Sequence, residues 1–171
     1  MKSRLLSVCL MAMMGVLMVV SKEVLAFLPN VEILTLLIIL FTLVFRKLVI
    51  GALAVFLLLE GLLYGFGLWW IMYLYIWPLL ALLTWMFRWM KRPWQWAIFA
   101  GLYGLAFGAL CSLVYWPMWK LPVILGWIAA GLPFDCNHAA FNFLLCLLLY
   151  RPLRTGLEEL QRQITTNKRI Q

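Results

Sequence analysis

The sequence predicts an all-α integral membrane protein of six spanning helices with both termini in the cytoplasm. Three observations predict it. Hydrophobic residues make up 67% of the 171-residue chain and charged residues 12%, about half the charged share of a soluble domain. Polar breaks cut the chain into apolar segments at 5–27, 31–45, 48–66, 68–87, 94–118 and 122–150. With the N-terminus inside, twelve of the fourteen Lys and Arg residues fall on the inner side. These are Lys2, Arg4, Arg46, Lys47, Arg88, Lys91, Arg92, Arg151, Arg154, Arg162, Lys168 and Arg169, which leaves only Lys22 and Lys120 outside. Lys/Arg bias in short loops sets membrane orientation, so one pattern fixes helix count and topology together. The expected organisation is a membrane domain over 1–153 and a polar cytoplasmic tail over 154–171.

Each segment has its own character. The first follows Lys2 and Arg4 and imitates a signal peptide. Ser21-Lys22-Glu23 interrupts it with no small-x-small cleavage site, and losing it would spoil the charge count. It is expected to be a retained helix. The second, Val31 to Phe45, is short for a hydrocarbon core of about 30 Å. The fourth carries Pro78, which removes a backbone hydrogen bond and predicts a kink. Gly101, Gly104 and Gly108, with Ala97, Ala100 and Ala109, give the fifth a small-residue face suited to close packing. The sixth stretch contains Gly131-Leu132-Pro133. Its first part, 122–132, reads as an outer loop or re-entrant piece, Phe134–Tyr150 as the helix proper, and the tail from Arg151 as a fraying helix end.

Several functions are excluded by what is missing. A net charge of +8 could suggest nucleic acid, but the cations punctuate helix ends instead of forming a face. The four cysteines, at 9, 111, 136 and 146, form no C-x-x-C pair and read as small hydrophobes; no metal site or cofactor is expected. No P-loop, H-E-x-x-H or G-x-S-x-G motif occurs. Any active transport would therefore draw its energy from another subunit.

Polar residues are costly inside a bilayer and mark function when retained. Here they share a depth near the outer face. Lys22, Glu23, Asn30 and Glu32 flank the first outer loop, and Glu60 lies about one and a half turns below the outer end of the third helix. Asp135, His138 and Asn142 follow i, i+3, i+7 spacing on one helix face. Tyr64, Phe66, Trp69, Trp70, Tyr73, Tyr75 and Trp77 crowd the same level. The pattern predicts a polar, aromatic-rimmed cavity open to the outside. Plainer roles compete at each position. The rings could form an interfacial belt, with Trp69 and Trp70 in a loop. Glu60 could make a structural hydrogen bond, His138 could brace Asp135, and Lys22 and Glu23 could cap a helix end.

Three strings carry a resemblance. Phe27-Leu28-Pro29-Asn30-Val31-Glu32, the run from Leu59 to Gly67, and Gly131-Leu132-Pro133-Phe134-Asp135 with His138 and Asn142 resemble the substrate-binding S component of energy-coupling factor (ECF) transporters. The likeness covers about 5–153 and is nearest the cobalamin-type branch. It implies a non-catalytic subunit of a prokaryotic plasma membrane that captures a vitamin at the outer face. It also implies docking on a membrane coupling (T) subunit joined to two cytoplasmic ATPases. The family's small-residue docking stripe on the first helix is reduced here to Ala12 and Gly15 among methionines. Without an Arg to clamp an anion, a neutral or cationic ligand is expected. Cobalamin fits, with His138 or Cys136 near the cobalt. Pyridoxine-, thiamine-precursor-, queuosine-precursor- and pantothenate-type ligands remain alternatives. So do a small polytopic membrane enzyme using Glu60, Asp135 and His138 as acid–base groups, and a structural or assembly protein.

Overall fold

The computed structural model describes the backbone of residues 2–27 and 31–170 and the side chains of 4–27 and 31–166. It is a bundle of six α-helices: α1 (Lys2–Leu25), α2 (Leu34–Phe45), α3 (Leu48–Tyr64), α4 (Leu68–Met86), α5 (Pro93–Ser112) and α6 (Leu121–Ile170). A single 3₁₀ turn, Leu113–Tyr115, follows α5. No strand is present among the described residues. Four of the helices (α1, α4, α5 with its 3₁₀ turn, and α6) are long and apolar enough to cross a membrane.

The breaks between helices follow from backbone chemistry. Gly65 ends α3 in the left-handed region (φ 82°), its N–H donating to the Gly61 carbonyl at 2.9 Å, as a glycine after a helix C-terminus commonly does. Pro93 starts α5 at a position where no N–H is needed. There Gln95 Oε1 accepts from the Arg92 N–H at 2.9 Å and the Lys91 N–H at 3.1 Å.

The shortest helix is the central one. Eleven of the twelve residues of α2 are buried, with α1, α3, α4 and α6 all packed against it. A helix apolar on every side belongs in an interior, and α2 finds its interior in protein. Its length therefore need not match a bilayer. The outer surface of the bundle is apolar too: Val16, Leu17, Val20, Leu58, Leu102 and Leu148 are all exposed. Apolar surface on this scale marks a membrane-embedded protein.

Close approaches are made by glycines. A Cβ on Gly15 would lie 2.7 Å from Val55 Cβ and 2.8 Å from the Ala52 carbonyl, so α1 rides directly on α3. A Cβ on Gly104 would lie 3.0 Å from the Ala139 nitrogen, and one on Gly108 only 2.2 Å from Asp135 Oδ2. The small face of α5 is thus where α6 packs, as the sequence suggests.

Two sequence expectations are overturned in α6. It is one continuous helix of 50 residues, about 75 Å at 1.5 Å per residue. Residues 122–132 are helical, so they form neither a loop nor a re-entrant turn, and Pro133 and Pro152 both lie inside the helix. Tyr115, stacked on Trp119 with centroids 4.0 Å apart and 5.8 Å from Trp127, leans the preceding turn against this segment. The tail does not fray at Arg151 either. It continues to Ile170, supported by Arg154–Glu158 and Arg162–Glu159 pairs at i,i+4 and i,i+3.

Candidate functional site

Two polar clusters sit at one end of the bundle. The first joins α1, α3 and α4. Glu60, four residues before the end of α3, is fully buried, and its Oε2 is ion-paired with Lys22 Nζ. The ammonium also faces three rings, 4.9 Å from the Tyr64 centroid, 5.7 Å from Tyr73 and 6.0 Å from Trp69. These are cation–π distances. Tyr64 OH donates to Glu23, closing the rim. The other oxygen of Glu60, Oε1, is buried with no partner among the described residues.

The expected cap role of Lys22 is therefore incomplete: it is the counter-ion of Glu60. Trp69 and Trp70 are not in a loop but in the first turn of α4, because Gly67 already starts the helix, accepting from the Trp70 N–H at 3.0 Å. The two rings then part. Trp69 packs edge-to-face on Tyr73 and joins the cage. Trp70 donates Nε1–H to the Leu57 carbonyl at 2.8 Å and packs on Phe66, fastening α4 to α3.

The second cluster joins the N-terminal approach of α2 to α5 and α6. Asp135, His138 and Asn142 are all buried on one face of α6, as their spacing predicts. They reach three different partners. Asp135 Oδ1 accepts from the Gly108 N–H at 3.0 Å. His138 Nε2 lies 2.9 Å from Glu32 Oε1, so the ring donates when Glu32 is ionised. Asn142 Nδ2 donates to Thr35 Oγ1 at 3.3 Å, and Thr35 in turn donates to Glu32 Oε1 at 2.9 Å. The expected His138–Asp135 brace is thus replaced by a His138–Glu32 pair, since Gly108 leaves room for Asp135 to turn toward α5. Cys136 is exposed and stands apart from the cluster.

Aromatic rings connect the clusters. Tyr73 packs on Trp77 (5.3 Å), Trp77 on Phe107 (5.6 Å), and Phe107 on His138 (4.9 Å). Trp77 is fully buried, and its Nε1–H has no partner among the described residues. Sequence reasoning placed Trp77 at this level but did not single out Thr35 or Phe107 for the site. Thr35 is one of two hydroxyls in the apolar run of α2 and carries no distinguishing signal. Asn30, the remaining candidate, lies outside the described residues. Of the two docking candidates, Ala12 is partly exposed, whereas Gly15 is buried against α3.

Four of the chain's six acidic side chains (Glu23, Glu32, Glu60 and Asp135) lie in these clusters. Lys22 and, when protonated, His138 are the cations among them. The arrangement favours neutral or cationic hydrogen-bond donors over anions. No group of three or more His, Cys, Asp or Glu placed to hold a metal occurs among the described residues. No family model, curated protein or solved structure matches the chain.

Proposed function

We propose that this protein is the substrate-capture subunit of a micronutrient transporter, of the S-component type in energy-coupling factor systems. In this reading all six helices cross the plasma membrane of a prokaryote, both termini are cytoplasmic, and the Glu60 end faces outward. The protein performs no chemistry. It binds its ligand alone and delivers it inward after docking on a membrane coupling subunit with two ATPases.

One observation carries the reading. A fully buried carboxylate, one of whose oxygens has no partner among the described residues, stands beside an aromatic cage at the end of the bundle that holds both polar clusters. An unpaired buried acceptor is costly, and a ligand N–H or ammonium reaching Glu60 Oε1 would relieve that cost. The same acid excess favours a neutral or cationic vitamin. Cobalamin is the ligand suggested by the sequence resemblance. The geometry lends no support to a cobalt contact, because His138 Nε2 is engaged by Glu32 and Cys136 is turned outward. Pyridoxine- and thiamine-type ligands, which bring a ring together with donor groups, suit the cage at least as well. For docking, the exposed face of α1 around Met13, Val16, Leu17 and Val20 is available, with Ala12 at its edge.

Reconstitution tests the role. Liposomes holding this chain alone should bind the ligand without accumulating it. Adding the coupling subunit, ATPases and ATP should start uptake. ATP-driven accumulation by the chain alone would overturn the proposal.

A further inference from the structure

At the opposite end of the bundle the α2–α3 turn, the last turn of α4, the residues after it and α6 enclose a cleft of about 500 Å³. Arg46, Arg88, Lys91 and Arg154 line it, together with Trp85 and Trp89. Every charged residue in the lining is a cation. Arg46, Arg88 and Lys91 have no carboxylate partner among the described residues, and Arg154 alone is paired, with Glu158. Cations gathered from three separate parts of the chain around one cleft repel each other unless an anion joins them.

The fold also positions them. The Arg88 guanidinium lies 4.9 Å from the Trp85 ring centroid, and Arg154 donates to Tyr150 OH at 2.6 Å and to Glu158 at 2.7 Å. Arg46 is the one non-glycine residue with positive φ (54°) among those described, a conformation that side chains with a Cβ rarely adopt. Next to the cations runs an apolar flank, the exposed faces of Leu82, Trp85, Met86 and Trp89. Tryptophans of this kind sit at membrane–water boundaries.

We infer that this cleft holds the phosphate head group of an anionic glycerophospholipid, with the acyl chains lying along Leu82 and Met86. Basic pockets between membrane helices recognise head groups in this way. The apolar flank selects a lipid over a soluble phosphate, and the excess positive charge selects an anionic lipid over a zwitterionic one. This inference is independent of what the opposite end binds.

Native mass spectrometry of the full chain, titrated with phosphatidylglycerol and with phosphatidylcholine, tests it. The expected result is saturable retention of phosphatidylglycerol over phosphatidylcholine. A basic side chain near an anionic lipid contributes a factor of roughly five. The pair Arg46→Gln and Arg88→Gln should therefore weaken retention roughly 30-fold, and the exposed Lys91→Gln alone roughly fivefold. Removing two cations outside the cleft, Arg151→Gln with Arg162→Gln, should leave it unchanged. Melting temperatures of the lipid-free variants separate lost binding from lost folding, and Lys91→Gln serves if the double variant does not fold. Equal retention of both lipids, or equal loss in the control pair, would overturn the inference. So would displacement of the lipid by excess inorganic phosphate, which would assign the cleft to a soluble anion.

Discussion

Lys22 and Glu60 form an ion pair between α1 and α3 in which the carboxylate is fully buried and the ammonium keeps 27% of its side-chain surface exposed. Breaking a buried pair on one side leaves an uncompensated charge, which is worse than removing both. Lys22→Met should therefore destabilise the protein by about 2–4 kcal/mol, somewhat under the fully buried range because Lys22 retains solvent contact. Lys22→Met with Glu60→Gln should recover most of that loss. Denaturation in detergent measures both, and a single variant as stable as the parent would show that the pair is incidental.

The Glu32–His138 contact predicts a brace. Removing a partner from a buried hydrogen bond costs about 1–3 kcal/mol, so His138→Ala should lower the melting temperature with and without ligand. A cycle with Glu32→Gln should show a coupling of about 0.5–3 kcal/mol, the range for contacting residues. Additive effects of the two substitutions would separate them.

Glycines in the helices make opposite predictions according to their surroundings. Gly108→Ala would drive a methyl into the Asp135 carboxylate and should cost about 1–3 kcal/mol, as overpacking does. Gly126 and Gly131 have nothing within 4 Å of an added Cβ and lie inside α6. Alanine at either should stabilise by about 0.4–1 kcal/mol, since it fits the native backbone. Destabilisation at 126 or 131 would restore the re-entrant turn that the sequence suggests.

That contrast shows what the chain discloses by itself. Helix breaks at Arg46-Lys47, at Gly65 to Gly67 and at Pro93 are local chemistry and can be read directly. So can the shared depth of Glu60, Asp135 and His138. Partner choice cannot, because Lys22 meets Glu60 across 38 positions and His138 meets Glu32 across 106, and no local pattern encodes either. Gly131-Leu132-Pro133 reads as a break, yet Pro133 is exposed and lies within the continuous α6. Gly15 reads as half of a docking stripe, but only the arrangement of α1 on α3 reveals that it faces inward.

The proposed topology is testable by labelling. In a cysteine-free background, cysteine at position 120 should react with an impermeant thiol reagent in intact cells, and cysteine at 46, 88 or 154 should not. Labelling at 88 would overturn the six-span arrangement.

The central claim, that the Glu60 end is a ligand site, is tested most directly by calorimetric titration of the purified chain with cobalamin, pyridoxine and thiamine, beside its Glu60→Ala and Asn142→Ala variants. Saturable binding of one of these compounds to the parent is expected, weakened by about 1–3 kcal/mol in each variant, the usual cost of losing a buried hydrogen-bond partner. Unchanged affinity in both variants would contradict the account and leave the polar clusters as purely structural.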